Sequence, residues 1–251
     1  MTPQASPPPA PPGLSAWFRR GERLCSRSVG GHVHAGVVDV PVPPARLLAD
    51  WQRDIALQLD LQPGDVESLP LARARARWPD YPACVAAAAG WLRTLGLPGL
   101  PADAEVALMA CRGARYHHDA AQYAGAAFCN LFLSEDRGLD VHFPGTGQRI
   151  ALVRGTVLLF DTGQPHAVID RRHGRFDDAD FAGPDDRDQV FLTWELPIDQ
   201  PEVARALGVR FDLHAPGMPS PTDEQLWRHG APVAVDAASG AWRPVDRAPG
   251  A

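Results

Sequence analysis

The spacing of apolar positions changes near residue 100 and divides the chain into two textures. Upstream, Leu47, Leu48, Trp51, Ile55 and Leu59 in ARLLADWQRDIALQL fall near the helical period. The Pro43-Pro44 pair ahead of them suits a helix start. A second helix is predicted over Ala83 to Leu95, rich in alanine and ended near Gly96 and Pro98. Downstream of Pro101, short apolar runs bounded by turn residues take over: EVALMACR, GAAFCNLFLS, LDVHF, RIALV, GTVLLFD, HAVI and QVFLTWEL. No helix-length pattern interrupts these seven candidate strands, and such a series predicts a β-sandwich or barrel. The alternating, β-branched VGGHVHAGVVDVPV from Val29 to Val42 predicts one further strand near the start.

These patterns divide the chain into a proline-rich tail over residues 1–13, expected to be disordered or extended, and one domain over 14–196. That domain has a helical part at 43–100 and a strand-rich core at about 104–196. Residues 197–251 read as a peripheral extension, with a short helix around Glu202 to Leu207 and a hairpin about Ser239-Gly240. The fold class expected is α+β, mainly β.

Composition narrows the chemistry. Proline (26) and glycine (23) are abundant, which fits many turns better than a helical bundle. All 24 basic residues are arginine, so Schiff-base, pyridoxal-anchoring and phosphate-loop lysines are excluded. The net charge of −6 argues against a nucleic-acid partner. Cys25, Cys84, Cys111 and Cys129 form no C-x-x-C pair, and four reduced thiols are expected. No secretory signal is visible and no apolar run reaches bilayer-spanning length, so a soluble, cytoplasmic protein is expected, with no membrane partner.

The segment YHHDAAQY places His117 two residues before Asp119. On an extended strand those side chains share a face and can converge on one ion. His166 follows a later apolar strand of the same block. Two histidines and one carboxylate hold one face of an octahedral ion and leave open positions, the arrangement suited to non-haem iron(II).

The stretch from about Glu105 to Leu196 resembles the iron(II)- and 2-oxoglutarate-dependent oxygenases, in particular their prolyl-hydroxylase-like branch. The matching elements are His117-x-Asp119, the strand AFCNLFLSED, and the glycine-led acidic turn DRGLDVHFP. Gly155 and Phe160 in GTVLLFD follow, then His166 with Val168, and last QVFLTWEL with Trp194. The resemblance implies a double-stranded β-helix (jelly roll) core with N-terminal helices packed on one sheet. It also implies iron(II) on His117, Asp119 and His166, with 2-oxoglutarate and O2 consumed, succinate and CO2 released, and a substrate hydroxylated. That substrate, a small molecule or a protein side chain, is not named by the sequence, and neither is the oligomeric state. The family anchors its co-substrate with a basic residue near the last core strand. Arg187, which leads into QVFLTWEL, is favoured, then Arg175, with Arg171 and Arg172 behind.

Asn130, the one asparagine of the chain, and Tyr123 are candidates for hydrogen bonding to the co-substrate, or for structural roles. His118, His142 and the pair His32 and His34 read as structural. The loop carrying Asp177, Asp178, Asp180, Asp185 and Asp186 reads as solvated and mobile, able to select a basic substrate if it covers the mouth of the site. Two other readings stand beside the oxygenase: a cupin-type metal enzyme that does not use 2-oxoglutarate, and a non-catalytic binding protein of the same fold.

Overall fold

The fold is taken from a computed structural model that describes residues 13–100, 105–183, 187–211, 213 and 225–245. The proline-rich tail, up to residue 12, and the acidic-loop residues Asp185 and Asp186 lie outside the described residues.

The strands in chain order are β1 (Leu14–Arg20), β2 (Arg23–Ser28), β3 (His34–Val37), β4 (Val66–Leu69), β5 (Val106–Cys111) and β6 (Ala114–His117). They continue as β7 (Ala126–Phe132), β8 (Leu139–Phe143), β9 (Gln148–Ala151), β10 (Thr156–Asp161), β11 (His166–Asp170) and β12 (Gln189–Pro197). The last three are β13 (Gln225–Arg228), β14 (Ala231–Val235) and β15 (Trp242–Pro244). Five α-helices accompany them: α1 (Ala45–Asp54), α2 (Leu71–Arg77), α3 (Tyr81–Thr94), α4 (Ala120–Tyr123) and α5 (Pro201–Leu207). Each of the seven apolar runs after Pro101 is a strand.

The strands form a jelly roll. One sheet has the order β3-β10-β7-β12-β5-β4 and the other β6-β11-β8-β9. Strand alternation gives the larger sheet two different faces. Phe128 and Phe132 of β7, Leu158 and Phe160 of β10 and Phe191 of β12 join Tyr116, Val141, Phe143 and Ala167 of the smaller sheet in one cluster. The intervening positions, including Cys129, Leu131, Leu159, Leu192 and Trp194, pack against Leu47, Trp51, Trp78 and Leu92 of the N-terminal helical region. The helices therefore cover one sheet, and the other face of that sheet lines the interior.

Two expectations change. The strand expected from Val29 to Val42 shrinks to β3, because Gly30 N–H donates to the Asp161 side chain and His32 N–H to the Leu207 carbonyl instead of a ladder. The segment after residue 196 does form the short helix and the hairpin, yet it is not merely peripheral. β13 pairs with β1, giving a third sheet of order β15-β14-β13-β1-β2. No helix among the described residues is long and apolar enough to cross a membrane.

Candidate metal centre

His117 and His166 meet because β6 and β11 are antiparallel neighbours and these two residues are register partners. Their rings lie 4.4 Å apart, centroid to centroid. Asp119 does not reach them along an extended strand, as the H-x-D spacing predicted. The chain leaves β6 after His117, and Asp119 becomes the N-cap of α4. The backbone N–H groups of Asp119 and Ala120 both donate to the Thr162 carbonyl, 2.8 and 3.1 Å away. The Thr162 hydroxyl in turn shares its one proton between the carbonyls of Tyr123 and Ala126, 2.7 and 2.9 Å away. This clasp turns the Asp119 carboxylate back to the histidines, with Oδ1 3.6 Å from His117 Nε2 and Oδ2 3.6 Å from His166 Nε2. One potential ligand atom from each of the three residues lies within 4.8 Å of the other two.

The imidazoles are oriented for ligation. His117 Nδ1 lies 2.7 Å from the Arg115 carbonyl and His166 Nδ1 lies 3.0 Å from the Gln164 carbonyl. A carbonyl only accepts, so each Nδ1 carries a proton, which reserves Nε2 as the atom that can ligate an ion. Burial and the neighbouring His117 push His166 down to about 3, so it is neutral at physiological pH, the form that binds a cation. Burial raises Asp119, opposed by the charges of His117 and His118; a bound cation would offset that cost. Phe143 and Phe160 flank His166, with ring centroids 5.7 and 4.9 Å away.

The triad opens into a cavity of about 630 Å³. Its walls are mostly apolar: Met109, Phe128, Phe132, Val141, Leu158, Phe160, Val168 and Phe191. Asn130 and Tyr123 both line it. The Asn130 Oδ1 accepts the Thr193 hydroxyl at 2.9 Å, which leaves its N–H groups turned to the cavity. Burial and the nearby Glu195, Asp119 and Glu105 raise Tyr123, which keeps its hydroxyl a donor.

The arginines favoured from the sequence lie elsewhere. Arg187 is paired with Asp170, which also holds Arg172, and does not line the cavity. Arg175 is exposed, beside a separate depression bordered by Arg172 and Asp177. Arg171 joins Asp136 and Asp140. Among the described residues the arginine that does line the cavity is Arg115, paired at 2.6 Å with Asp178 and stacked 5.4 Å from the centre of the Phe176 ring. That loop, read as solvated and mobile, buries Phe176 and Phe181, stacked at 5.4 Å, and so carries an anchor that the acidic sequence conceals.

His118 points away from the triad toward Trp242, its buried Nδ1 without a hydrogen-bond partner among the described residues. His142 bonds the Tyr116 hydroxyl, and His32 and His34 both reach the Ala206 carbonyl. Sequence reasoning missed Arg27. Its guanidinium is fully buried and grips Asp161 through two contacts, 2.6 and 2.9 Å, while Nε donates to the Ala124 carbonyl. It thereby ties the end of α4, which Asp119 begins, to the turn that leads into His166.

No protein-family model and no curated protein matches the chain. Solved structures similar to it include the vicilin of hazelnut (Corylus avellana), at 17% identity and TM-score 0.24, covering 43% of this chain and 26% of that one. Another is the non-heme alpha-ketoglutarate-dependent epimerase SnoN of nogalamycin biosynthesis, at 14% identity and TM-score 0.36, covering 82% and 92%. A third is a variant of salicylate 1,2-dioxygenase from Pseudoaminobacter salicylatoxidans, at 11% and 0.23, covering 55% and 39%.

Proposed function

We propose that this chain is an iron(II)- and 2-oxoglutarate-dependent oxygenase. The observation that carries the reading is the convergence of two oriented Nε2 atoms and one carboxylate at the wall of a largely apolar cavity. The donor set fits a divalent ion: His117 and His166 would supply neutral nitrogens, and Asp119 would supply the charge. When bound, the iron would supply the activation of O2 in concert with 2-oxoglutarate.

The chain's own residues then have separable tasks. Arg115 would take the distal carboxylate of the co-substrate. Its pair with Asp178 is solvent-exposed on both sides, so exchanging that partner for a ligand carboxylate costs little. Asn130 and Tyr123 would donate hydrogen bonds inside the cavity. Phe143 and Phe160 shield His166 and keep water from that side of the triad.

A second reading, a cupin-type metal enzyme without 2-oxoglutarate, is favoured by one observation. The cavity-lining positions of β12 are Phe191, Thr193 and Glu195, so the last strand brings no cation into the cavity. An iron-dependent assay of succinate release separates the two. Turnover that is lost in Asp119→Ala supports the oxygenase. Metal binding with no succinate under any condition favours the second reading.

A further inference from the structure

The cavity holds two carboxylates that the triad does not use. Glu195 of β12, half-buried, and Glu105, just before β5 and exposed, both line it. The ladder between these strands pairs Trp194 with Val106, and the Glu195 N–H donates to the Glu105 carbonyl at 3.2 Å, carrying the register one residue further. The glutamates therefore lie directly opposite each other on the cavity face. Like charges in that position repel and destabilise a sheet. Among the described residues neither is paired with an arginine or a histidine. Burial, and secondarily Glu105, raise the Glu195 carboxyl, as expected for a negative charge lacking a counter-ion.

Three neighbours complete a site. Phe128 is the register partner of Glu195 on β7, and its ring lies 5.0 Å from that of Tyr123. Both rings line the cavity beside the glutamates. Asn130, only 8% exposed, sits one position along the same face, and its amide N–H groups have no acceptor among the described residues. Two facing carboxylates with aromatic rings beside them attract a cation. The free amide donor calls for an acceptor on the same molecule.

We propose that the substrate of this cavity carries a cationic amine, bound between Glu105 and Glu195 against Tyr123 and Phe128, with an acceptor group directed at Asn130. This assigns a substrate class to the site and rests on the oxygenase reading only for the reaction that follows binding.

The test uses the full chain and compares phenethylammonium with its neutral isostere 2-phenylethanol by calorimetric titration. The wild type is expected to bind the ammonium at least about tenfold more tightly than the alcohol, the range of one or two charge-assisted hydrogen bonds. Glu105→Gln and Glu195→Gln should each reduce the preference, and the double variant should abolish it while keeping the affinity for the alcohol. Thermal unfolding of Glu195→Gln should occur at or above the wild-type temperature, since a repulsion is removed. Equal affinities in the wild type, no binding of the ammonium, or a preference surviving in the double variant would each overturn the inference. Succinate release is scored separately. Cation preference without succinate overturns only the oxygenase reading, and succinate release without cation preference overturns only this one.

Discussion

Replacing Arg27 by Met removes a group that touches none of the metal-binding side chains yet holds two of the segments that carry them. Arg27 and Asp161 are both 0% exposed. The substitution deletes the two contacts to Asp161, the Nε donation to Ala124 and an Nη1 donation to Ser28 at 3.0 Å. Breaking a buried pair from one side costs about 3–5 kcal/mol, because the remaining charge stays buried. Asp161 keeps the backbone N–H groups of Gly30 and Gly163, at 2.6 and 2.8 Å, which places the loss near the lower end, about 3 kcal/mol. For a chain of this size that lowers the melting temperature by about 6–12 °C and leaves a folded protein to assay. Divalent-metal affinity should fall by about 10- to 100-fold, as for lost outer support of a metal site. Denaturant unfolding of the metal-free protein and a metal titration at a temperature where the variant is folded read the two effects. A loss below about 1 kcal/mol, or unchanged metal affinity, would refute the positioning role.

Arg115→Met should weaken 2-oxoglutarate binding by about tenfold, while Arg187→Met should leave it unchanged and lower stability through Asp170; a titration of both variants with the co-substrate decides. Arg172, with help from Arg187, holds the Asp170 carboxyl well below the ordinary range of 3.8, so its contribution to stability is present above that pH and is lost as pH falls through the lower folded value. Urea midpoints of wild type and Asp170→Asn should therefore differ at pH 7 and converge in acid. Gly155 has φ +86°, and a Cβ there would strike the Val38 carbonyl, so Gly155→Ala should cost more than about 2 kcal/mol by denaturant titration.

The strands of the core were legible because their residues are apolar on both faces, one against the helices and one inward, which leaves near-continuous runs such as TVLLFD and AAFCNLF. β1 and β2 were not, since LSAWFRR and RLCSRS carry charges near their ends, and β1 joins β2 to β13 from the far end of the chain. The triad was readable as residue types but not as geometry. The turn at Asp119 is set by the Thr162 carbonyl, a contact no local pattern announces. The position of Arg187 was hidden for a related reason: Asp170, buried at the end of β11, pairs with that guanidinium away from the cavity, whereas Arg115, which lines it, sits two residues before a candidate ligand and reads as an ordinary strand residue. Arg27 and Asp161 are far apart in the chain, and a charged residue in a polar strand reads as solvated until the fold buries it.

The most direct test of the central claim is the stoichiometry of iron(II) bound by the purified chain under anaerobic conditions, compared across Asp119→Ala, His166→Ala and His118→Ala. One ion per chain is expected in the wild type and in His118→Ala, because the His118 ring faces Trp242, and loss of binding is expected in the other two. Wild-type stoichiometry in Asp119→Ala or His166→Ala, or its loss in a folded His118→Ala, would contradict the claim.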